Sequence, residues 1–171
     1  TVEQVRDAMR DDTRLVSVMA VNNEIGTVLP ITEIGALCRE RGITFHTDAS
    51  QAVGKIPVDV VAMNIDLLTI ASHKIYGPKG VGALYVRRGR PRISVRPQIH
   101  GGGHERGMRS GTLAVPNIVA LGKAAELCQE DLAKDGLAGI RSLRDRLWDG
   151  LSASIEDCWV NGSWAHRSPQ N

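Results

Sequence analysis

The chain has 171 residues, of which 42% are hydrophobic and 23% charged, and its formal net charge is +2. This length suffices for one domain with a core, or for one domain and the beginning of another. So small a net charge gives no global reason to expect nucleic-acid or membrane binding, and no apolar run approaches the roughly 20 residues of a membrane span. Aromatic residues make up only 4%, so the core must be built mainly from Val, Ile, Leu and Ala, which favours a buried sheet covered by helices.

The first half of the chain alternates between helical and strand patterns. Helices are predicted at 2–9, 30–42 and 58–63, and strands at 15–21, 43–47 and 66–70. The run over 15–21 is almost continuously apolar, which predicts a strand that is buried on both faces. Strands and helices that alternate at this spacing are typical of parallel βαβ units.

The second half begins with a further predicted strand at 81–86 and a glycine-rich loop at 100–104. Pro116 begins a long helical region that is interrupted near Gly136 and Gly139, and a strand of another domain is predicted between Gly162 and Pro169. The predicted fold class is α/β, a mostly parallel sheet flanked by helices and incomplete at both ends. The predicted domains are a large domain at 1–115, a helical connector at 116–150 and the start of a small domain at 151–171.

The two ends of the chain and its cysteines indicate what kind of protein this is. The chain does not begin with Met, opens on a helical pattern without a signal peptide, and stops without a closing element, so we expect a piece of a longer chain. Cys38, Cys128 and Cys158 are widely spaced and odd in number, which favours buried thiols in a reducing cytoplasm over a disulfide framework.

Polar residues follow three of the predicted strands, at Asn22-Asn23, at Asp48 and at Ser72-His73-Lys74. Asp48 and Lys74 are separated by one βα repeat, so they are expected at the tips of neighbouring strands, where open parallel sheets bind ligands. A lysine and an aspartate in one pocket suit pyridoxal 5'-phosphate, because the lysine forms a Schiff base and the carboxylate keeps the pyridine nitrogen protonated. Taken separately, however, such an aspartate is more often a helix cap and such a lysine a surface residue.

Four ordered blocks of sequence carry a resemblance to a known family. They are Val21-Asn22-Asn23-Glu24-Ile25-Gly26, His46-Thr47-Asp48-Ala49-Ser50-Gln51, Ser72-His73-Lys74-Ile75-Tyr76-Gly77-Pro78-Lys79-Gly80 and the block from His100 to Thr112. Together they resemble the cysteine desulfurases of the class V aminotransferase group, fold-type I pyridoxal-phosphate enzymes that supply sulfur for iron–sulfur clusters. The resemblance extends over about residues 15–147.

This resemblance implies a role for several residues. Lys74 would be the Schiff-base lysine that also moves the substrate's α-proton, and Asp48 would bind the pyridinium nitrogen. Gln51 would donate to the phenolate oxygen of the cofactor, and Asn23 would help to position the cofactor and the substrate carboxylate. His73 would contact the phosphate or assist proton transfer.

The resemblance also implies phosphate ligands and a homodimer. Thr112 matches a position that reaches the phosphate of the partner subunit. Ser72 lies where the family holds the phosphate, but many members have a serine three residues before the lysine, where this chain has Ala71. Neighbouring positions at a strand end point in different directions, so the phosphate contact of Ser72 depends on the local geometry.

The implied activity of the complete enzyme is conversion of L-cysteine to L-alanine, with the sulfur left as a persulfide on an enzyme cysteine for transfer to acceptor or iron–sulfur scaffold proteins. In the family, the loop that carries this cysteine lies beyond residue 171, and an N-terminal segment supplies a histidine over the cofactor. Cys38, Cys128 and Cys158 match none of that loop. We therefore expect the chain to hold the cofactor and not to complete the reaction alone.

Other interpretations concern two short motifs. His100 and His104 flank three glycines and are not accompanied by further ligands, so no metal site is expected. The segment 87–92 contains Arg-Gly-Arg-Pro, as minor-groove hooks do, but it directly follows a strand and has no second copy, so a solvated turn is preferred. Selenocysteine lyases, kynureninases and small aminotransferases share the Asp and Lys pair, and a non-catalytic remnant is a further alternative.

Overall fold

The computed structural model describes residues 1–171, which form four helices and one four-stranded sheet, with two short 3₁₀ turns. The elements in chain order are α1 (Val2–Ala8), β1 (Leu15–Met19), α2 (Ile31–Glu40), β2 (Thr44–Asp48), β3 (Leu67–Ala71), β4 (Gly82–Val86), α3 (Val115–Ala133) and α4 (Ala138–Ser154). None of the helices is both long enough and apolar enough to cross a membrane.

The sheet confirms the predicted α/β class. Its strands lie in the order β1-β2-β3-β4, in which β1, β2 and β3 are parallel and β4 is antiparallel to β3. The register pairs Met19 with Asp48 and Asp48 with Thr69, so the carboxyl ends of the three parallel strands lie at one edge. This is the edge at which polar side chains were predicted to meet.

One face of the sheet is covered by α2. This helix places Ile34 and Cys38 on its buried side, at the four-residue spacing of an amphipathic helix. They join a core cluster that includes Phe45 of β2 and Leu68 of β3, and Phe45 is fully buried. The predicted helix at 30–42 is thus confirmed to within two residues at each end.

The opposite face of the sheet is open along β1, where side chains are alternately exposed and half-buried. Leu15 is 53% exposed and Met19 37%. The prediction that β1 is buried on both faces is therefore wrong for this chain, because no helix within residues 1–171 packs extensively on that side.

The predicted short helix at 58–63 is also wrong. This segment is a hydrogen-bonded turn in which the Asp59 carboxylate accepts from the backbone N–H groups of Val61 and Ala62. Asn64 then adopts a positive φ of 53°, which the right-handed helix excludes. A local side-chain cap therefore replaces the helix in the crossover from β2 to β3.

A buried ion pair connects β2, β3 and β4 at the edge of the sheet opposite to the polar edge. The Asp66 carboxylate accepts from the backbone N–H of Phe45 at 2.9 Å and from the Arg87 guanidinium at 2.5 Å. Asp66 and Arg87 side chains are only 8% and 16% exposed. Arg87, the first arginine of the Arg-Gly-Arg-Pro segment, is therefore committed to the fold, whereas Arg88 and Arg90 are exposed.

The helical region confirms the predicted interruption, since α3 ends at Ala133 and α4 begins at Ala138. Gly139 lies inside α4 and does not break it. No separate strand forms in the last twenty residues. That segment instead returns to the loop after β1, where Thr27 and Arg167 form an isolated antiparallel bridge.

Candidate functional site

The loop after β1 is organised by Asn22. Its side-chain oxygen accepts from the backbone N–H groups of Glu24 at 2.9 Å and Ile25 at 3.0 Å, which closes an Asx turn. Asn23, the predicted ligand, stands exposed in that turn. The sequence pattern Asn-Asn thus divides into one residue that builds the loop and one that faces solvent.

Asp48 is the last residue of β2 and is exposed at the polar edge. One carboxylate oxygen, Oδ1, accepts from the backbone N–H of Ser50 at 2.9 Å, whereas Oδ2 makes no hydrogen bond within the chain. Two residues earlier, His46 has its Nδ1 atom 2.7 Å from the Ser17 hydroxyl. Because alternate strand residues share a face, His46 and Asp48 lie on the open side of the sheet.

The chain leaves β3 in a 3₁₀ turn formed by Ser72, His73 and Lys74. His73 and Lys74 are exposed, whereas Ser72 is fully buried. The Ser72 hydroxyl has no hydrogen-bond partner and lies against Gly77, where an added Cβ would approach it to 2.2 Å. Ser72 therefore faces the interior of the turn, away from the exposed side chains that follow it.

Lys55 is a residue that the sequence reasoning missed. Its amine donates to the side-chain oxygen of Gln51 at 2.8 Å, and this contact is partly buried. Burial, followed by the charge of Lys74, lowers the pKa of Lys55 from its ordinary value. The signal that could have found it is the four-residue spacing of Gln51 and Lys55 after a strand end, which is the spacing of side-chain pairs in a helical turn.

Lys74 and Lys55 line one cleft of about 450 Å³ between the end of β3 and the helices α3 and α4. His73 contributes to the same wall, and Cys128 and Asp131 of α3 face it from the other side. Burial and the neighbouring Asp131 raise the pKa of Cys128, which keeps this thiol protonated at neutral pH. The cleft therefore contains two amines beside a neutral thiol and a carboxylate.

Thr112 lies exposed in the segment that leads into α3. In the loop before it, His104 accepts from the backbone N–H of Gly111 through Nδ1 at 3.3 Å, and this contact helps to fold the glycine-rich block. No group of three or more His, Cys, Asp or Glu side chains in the chain is arranged to hold a metal ion.

The predicted residues gather at the same edge of the sheet without all touching. Asp48 is level with Thr69 of β3, so Lys74 lies five residues further along the neighbouring strand and turn. Asp48 and Lys74 form no ion pair, and neither is paired with another charged group. Gln51 reaches the cleft only through Lys55.

This donor set fits pyridoxal 5'-phosphate chemically. Asp48 offers an unengaged carboxylate oxygen for a pyridinium N–H, and Lys74 offers an exposed amine that is not held in an ion pair. The Gln51 side-chain oxygen is occupied by Lys55, which leaves the amide NH₂ to donate. Ser72 is buried with its hydroxyl unpaired, whereas His73 and Thr112 are exposed, and the phosphate contacts of all three stay predictions.

Comparisons with known proteins bear directly on this assignment. The family described as aminotransferase class-V matches residues 1–170. The cysteine desulfurase IscS of Aeromonas salmonicida (strain A449) is 56% identical over all 171 residues, which correspond to 42% of its length. The chain thus spans about two fifths of the length of the curated relatives that it matches.

Solved structures agree with the fold. DndA from Streptomyces lividans is 39% identical, with a TM-score of 0.89 over 99% of this chain and 47% of its own. A structure described as SspA in complex with cysteine is 52% identical, with a TM-score of 0.69 over 74% of this chain and 36% of its own. From the ordered motifs, the parallel strand edge and these similarities, the chain belongs to the aminotransferase class-V family, and its relatives there are named cysteine desulfurases.

Proposed function

We propose that this chain is the cofactor-binding part of a pyridoxal-phosphate-dependent cysteine desulfurase. The observation that carries the proposal is the free carboxylate oxygen of Asp48 at the end of β2 together with the unpaired amine of Lys74 in the turn that follows the neighbouring parallel strand β3. The whole enzyme would release alanine from L-cysteine and leave the sulfur as a persulfide on a cysteine of its own. The similarity to SspA, whose solved structure contains cysteine, supports this substrate class.

When bound, pyridoxal phosphate supplies an electron sink that stabilises negative charge on the substrate's α-carbon. Lys74 would hold the cofactor covalently and, once its amine is released, would move the α-proton. Asp48 would keep the ring nitrogen protonated through its unengaged oxygen. Asn23 would orient the substrate carboxylate, and His73 would contact the phosphate or assist proton transfer.

Further features of the whole protein belong to the same proposal. Residues 1–115 would be part of the large domain, 116–150 a helical connector, and 151–171 the start of a small domain. Thr112 would reach the phosphate in a partner subunit, so the working enzyme would be a cytoplasmic homodimer. Its sulfur would pass to acceptor or iron–sulfur scaffold proteins. The exposed position of Thr112, outside the sheet, supports a contact across subunits.

The test uses the complete reading frame that contains the chain. Purified protein loaded with pyridoxal phosphate is expected to be yellow and to release alanine and sulfide from L-cysteine in the presence of a thiol reductant. L-Selenocysteine and amino donors with an oxo-acid acceptor are assayed in parallel, because lyases and aminotransferases of the same family prefer those substrates. Faster turnover of either class than of L-cysteine would contradict the desulfurase assignment.

A further inference from the structure

In the turn after β2, the contact between Gln51 and Lys55 determines which way the Gln51 side-chain amide is oriented. The Lys55 ammonium has only donors, so the Gln51 atom that it contacts at 2.8 Å must be the carbonyl oxygen. An isolated glutamine amide can turn by 180° and exchange its oxygen with its nitrogen, and the two are assigned from their partners. Here the partner leaves one choice, and the NH₂ group faces away from Lys55.

That NH₂ group has no acceptor within the chain, although both residues are half-buried. Lys55 also lines the cleft that contains Lys74, so the pair connects Gln51 to the wall where the cofactor would be attached. The other titratable side chains on this cleft are His73, Tyr76, Cys128 and Asp131. None of them forms a hydrogen bond with the Gln51 amide, so Lys55 alone sets its orientation.

We propose that Lys55 is a positioning residue that holds the Gln51 amide with its NH₂ group turned towards the anionic ring oxygen of the bound cofactor. This inference rests on the proposed function and on the family resemblance, which implies that Gln51 donates to that oxygen. Without Lys55 no group of the chain fixes the amide, so its NH₂ group is held less firmly against the anion. The cation also withdraws electrons from the amide, which makes the NH₂ group a stronger donor.

A donor on the ring oxygen has a measurable consequence. The donor draws negative charge from that oxygen. The oxygen then gives less stabilisation to the nearby proton, which lies on the nitrogen that joins Lys74 to the cofactor. Loss of Lys55 is therefore expected to raise the pH at which this proton leaves, by about one unit, a tenfold change in the equilibrium. The visible absorption band of the bound cofactor reports that titration.

The experiment compares absorption titrations of the complete, cofactor-loaded protein with Lys55→Met and Lys55→Arg variants. Lys123→Met serves as the control, because Lys123 is exposed on α3 and paired only with Glu126. Lys55→Met is expected to bind the cofactor, raise the midpoint by about one pH unit and lower kcat about tenfold, in line with a positioning role. Lys55→Arg keeps a donor and is expected to restore most of both losses, and Lys123→Met is expected to match the wild type.

A second background tests whether Lys55 acts through Gln51. In Gln51→Ala protein the midpoint is already raised, and adding Lys55→Met should not move it further. A coloured Lys55→Met protein with the wild-type midpoint overturns the inference, and so does an additional shift in the Gln51→Ala background. If Lys55→Met does not fold, Lys55→Leu decides, because leucine also lacks a donor and a wild-type midpoint there overturns the inference as well. Absence of a visible band in the wild type would instead count against the proposed function itself.

Discussion

The sheet region and the helical region of this chain are built in different ways. Between β1 and β4, a cluster that includes Phe45, Ile34 and Leu68 is almost completely buried. In the helical region, α3 buries one residue and α4 none, and Leu143 and Leu147 are 57% and 63% exposed. Most of the candidate site residues belong to the first region. The well-packed part of the chain thus holds the chemistry in place, while the helices form one wall of the cleft.

The largest expected effect is the loss of cofactor binding and activity when Lys74, at the end of the sheet region, is replaced. In the complete protein, Lys74→Ala should abolish the visible band of bound cofactor and reduce alanine formation to background, because the covalent anchor and the α-proton carrier are both lost. Lys134→Ala, which changes an exposed lysine at the end of α3, should leave the spectrum and the rate unchanged. A yellow, active Lys74→Ala protein would move the anchor to another amine, of which Lys55 is the one that lines the same cleft.

The second prediction compares the two regions directly through their stability. Phe45→Ala should lower the free energy of unfolding by about 3–5 kcal/mol, because it leaves a cavity in a closely packed core. Leu147→Ala removes a side chain that is already 63% exposed and should change the free energy of unfolding by less than about 0.5 kcal/mol. Urea unfolding of both variants measures the difference. Equal losses would mean that α4 is covered as thoroughly as the sheet.

The third prediction concerns the ion pair between Asp66 and Arg87. Arg87→Ala should cost about 3 kcal/mol in the free energy of unfolding, because it leaves the Asp66 carboxylate buried without its cation. Arg88→Ala changes the exposed neighbour and should have almost no effect. Thermal or urea unfolding at neutral pH distinguishes the two, and similar losses for both would assign the effect to the surface charge of the loop.

The smallest predicted effect is a pH dependence at Cys38. Burial, reinforced by Asp66, raises the pKa of the Cys38 thiol from 9.0 to about 11 in the folded chain. Well below pH 9 the thiol is protonated in both states and stability is unaffected. As the pH rises from 9 to 11, only the unfolded chain ionises, so about 2 kcal/mol of stability should be lost.

Comparison with Cys38→Ala isolates this effect from other groups that titrate in the same range. The stability difference between the wild type and Cys38→Ala should shrink across pH 9–11, whereas Cys158→Ala, which changes an exposed thiol, should leave the slope of the wild type intact. A constant difference between wild type and Cys38→Ala would show that the thiol ionises normally and that α2 is looser than its packing indicates.

Much of the fold followed from local patterns. The apolar spacing of α2, the strand at β2 and the interruption near Gly136 are properties of short segments, and all are found where they were predicted. The helix predicted at 58–63 was wrong because a side-chain cap at Asp59 competes locally with the helix. The double burial of β1 was wrong because burial depends on which other segments cover the strand.

The candidate site divides in the same way. Asp48, Lys74 and Gln51 were identified from their motifs and from the rule that ligands bind at the carboxyl ends of parallel strands. The motif did not show that Ser72 is turned inwards against Gly77. A continued strand would point successive side chains to opposite faces, but a 3₁₀ turn follows β3 and changes their directions. It also did not connect Gln51 with Lys55, whose contact requires the tight turn after β2.

The sequence by itself determined the class of fold, the family and the residue types that meet at the strand edge. Hydrophobic periodicity and ordered motifs are local properties of the sequence and can be recognised without the structure. Only the tertiary structure decided which face of the sheet is covered, that β4 runs antiparallel, and which of the neighbouring residues Ser72, His73 and Lys74 face outwards. These features depend on packing between segments that are distant in sequence. They also depend on backbone turns, which set the direction of a side chain independently of its position in a motif.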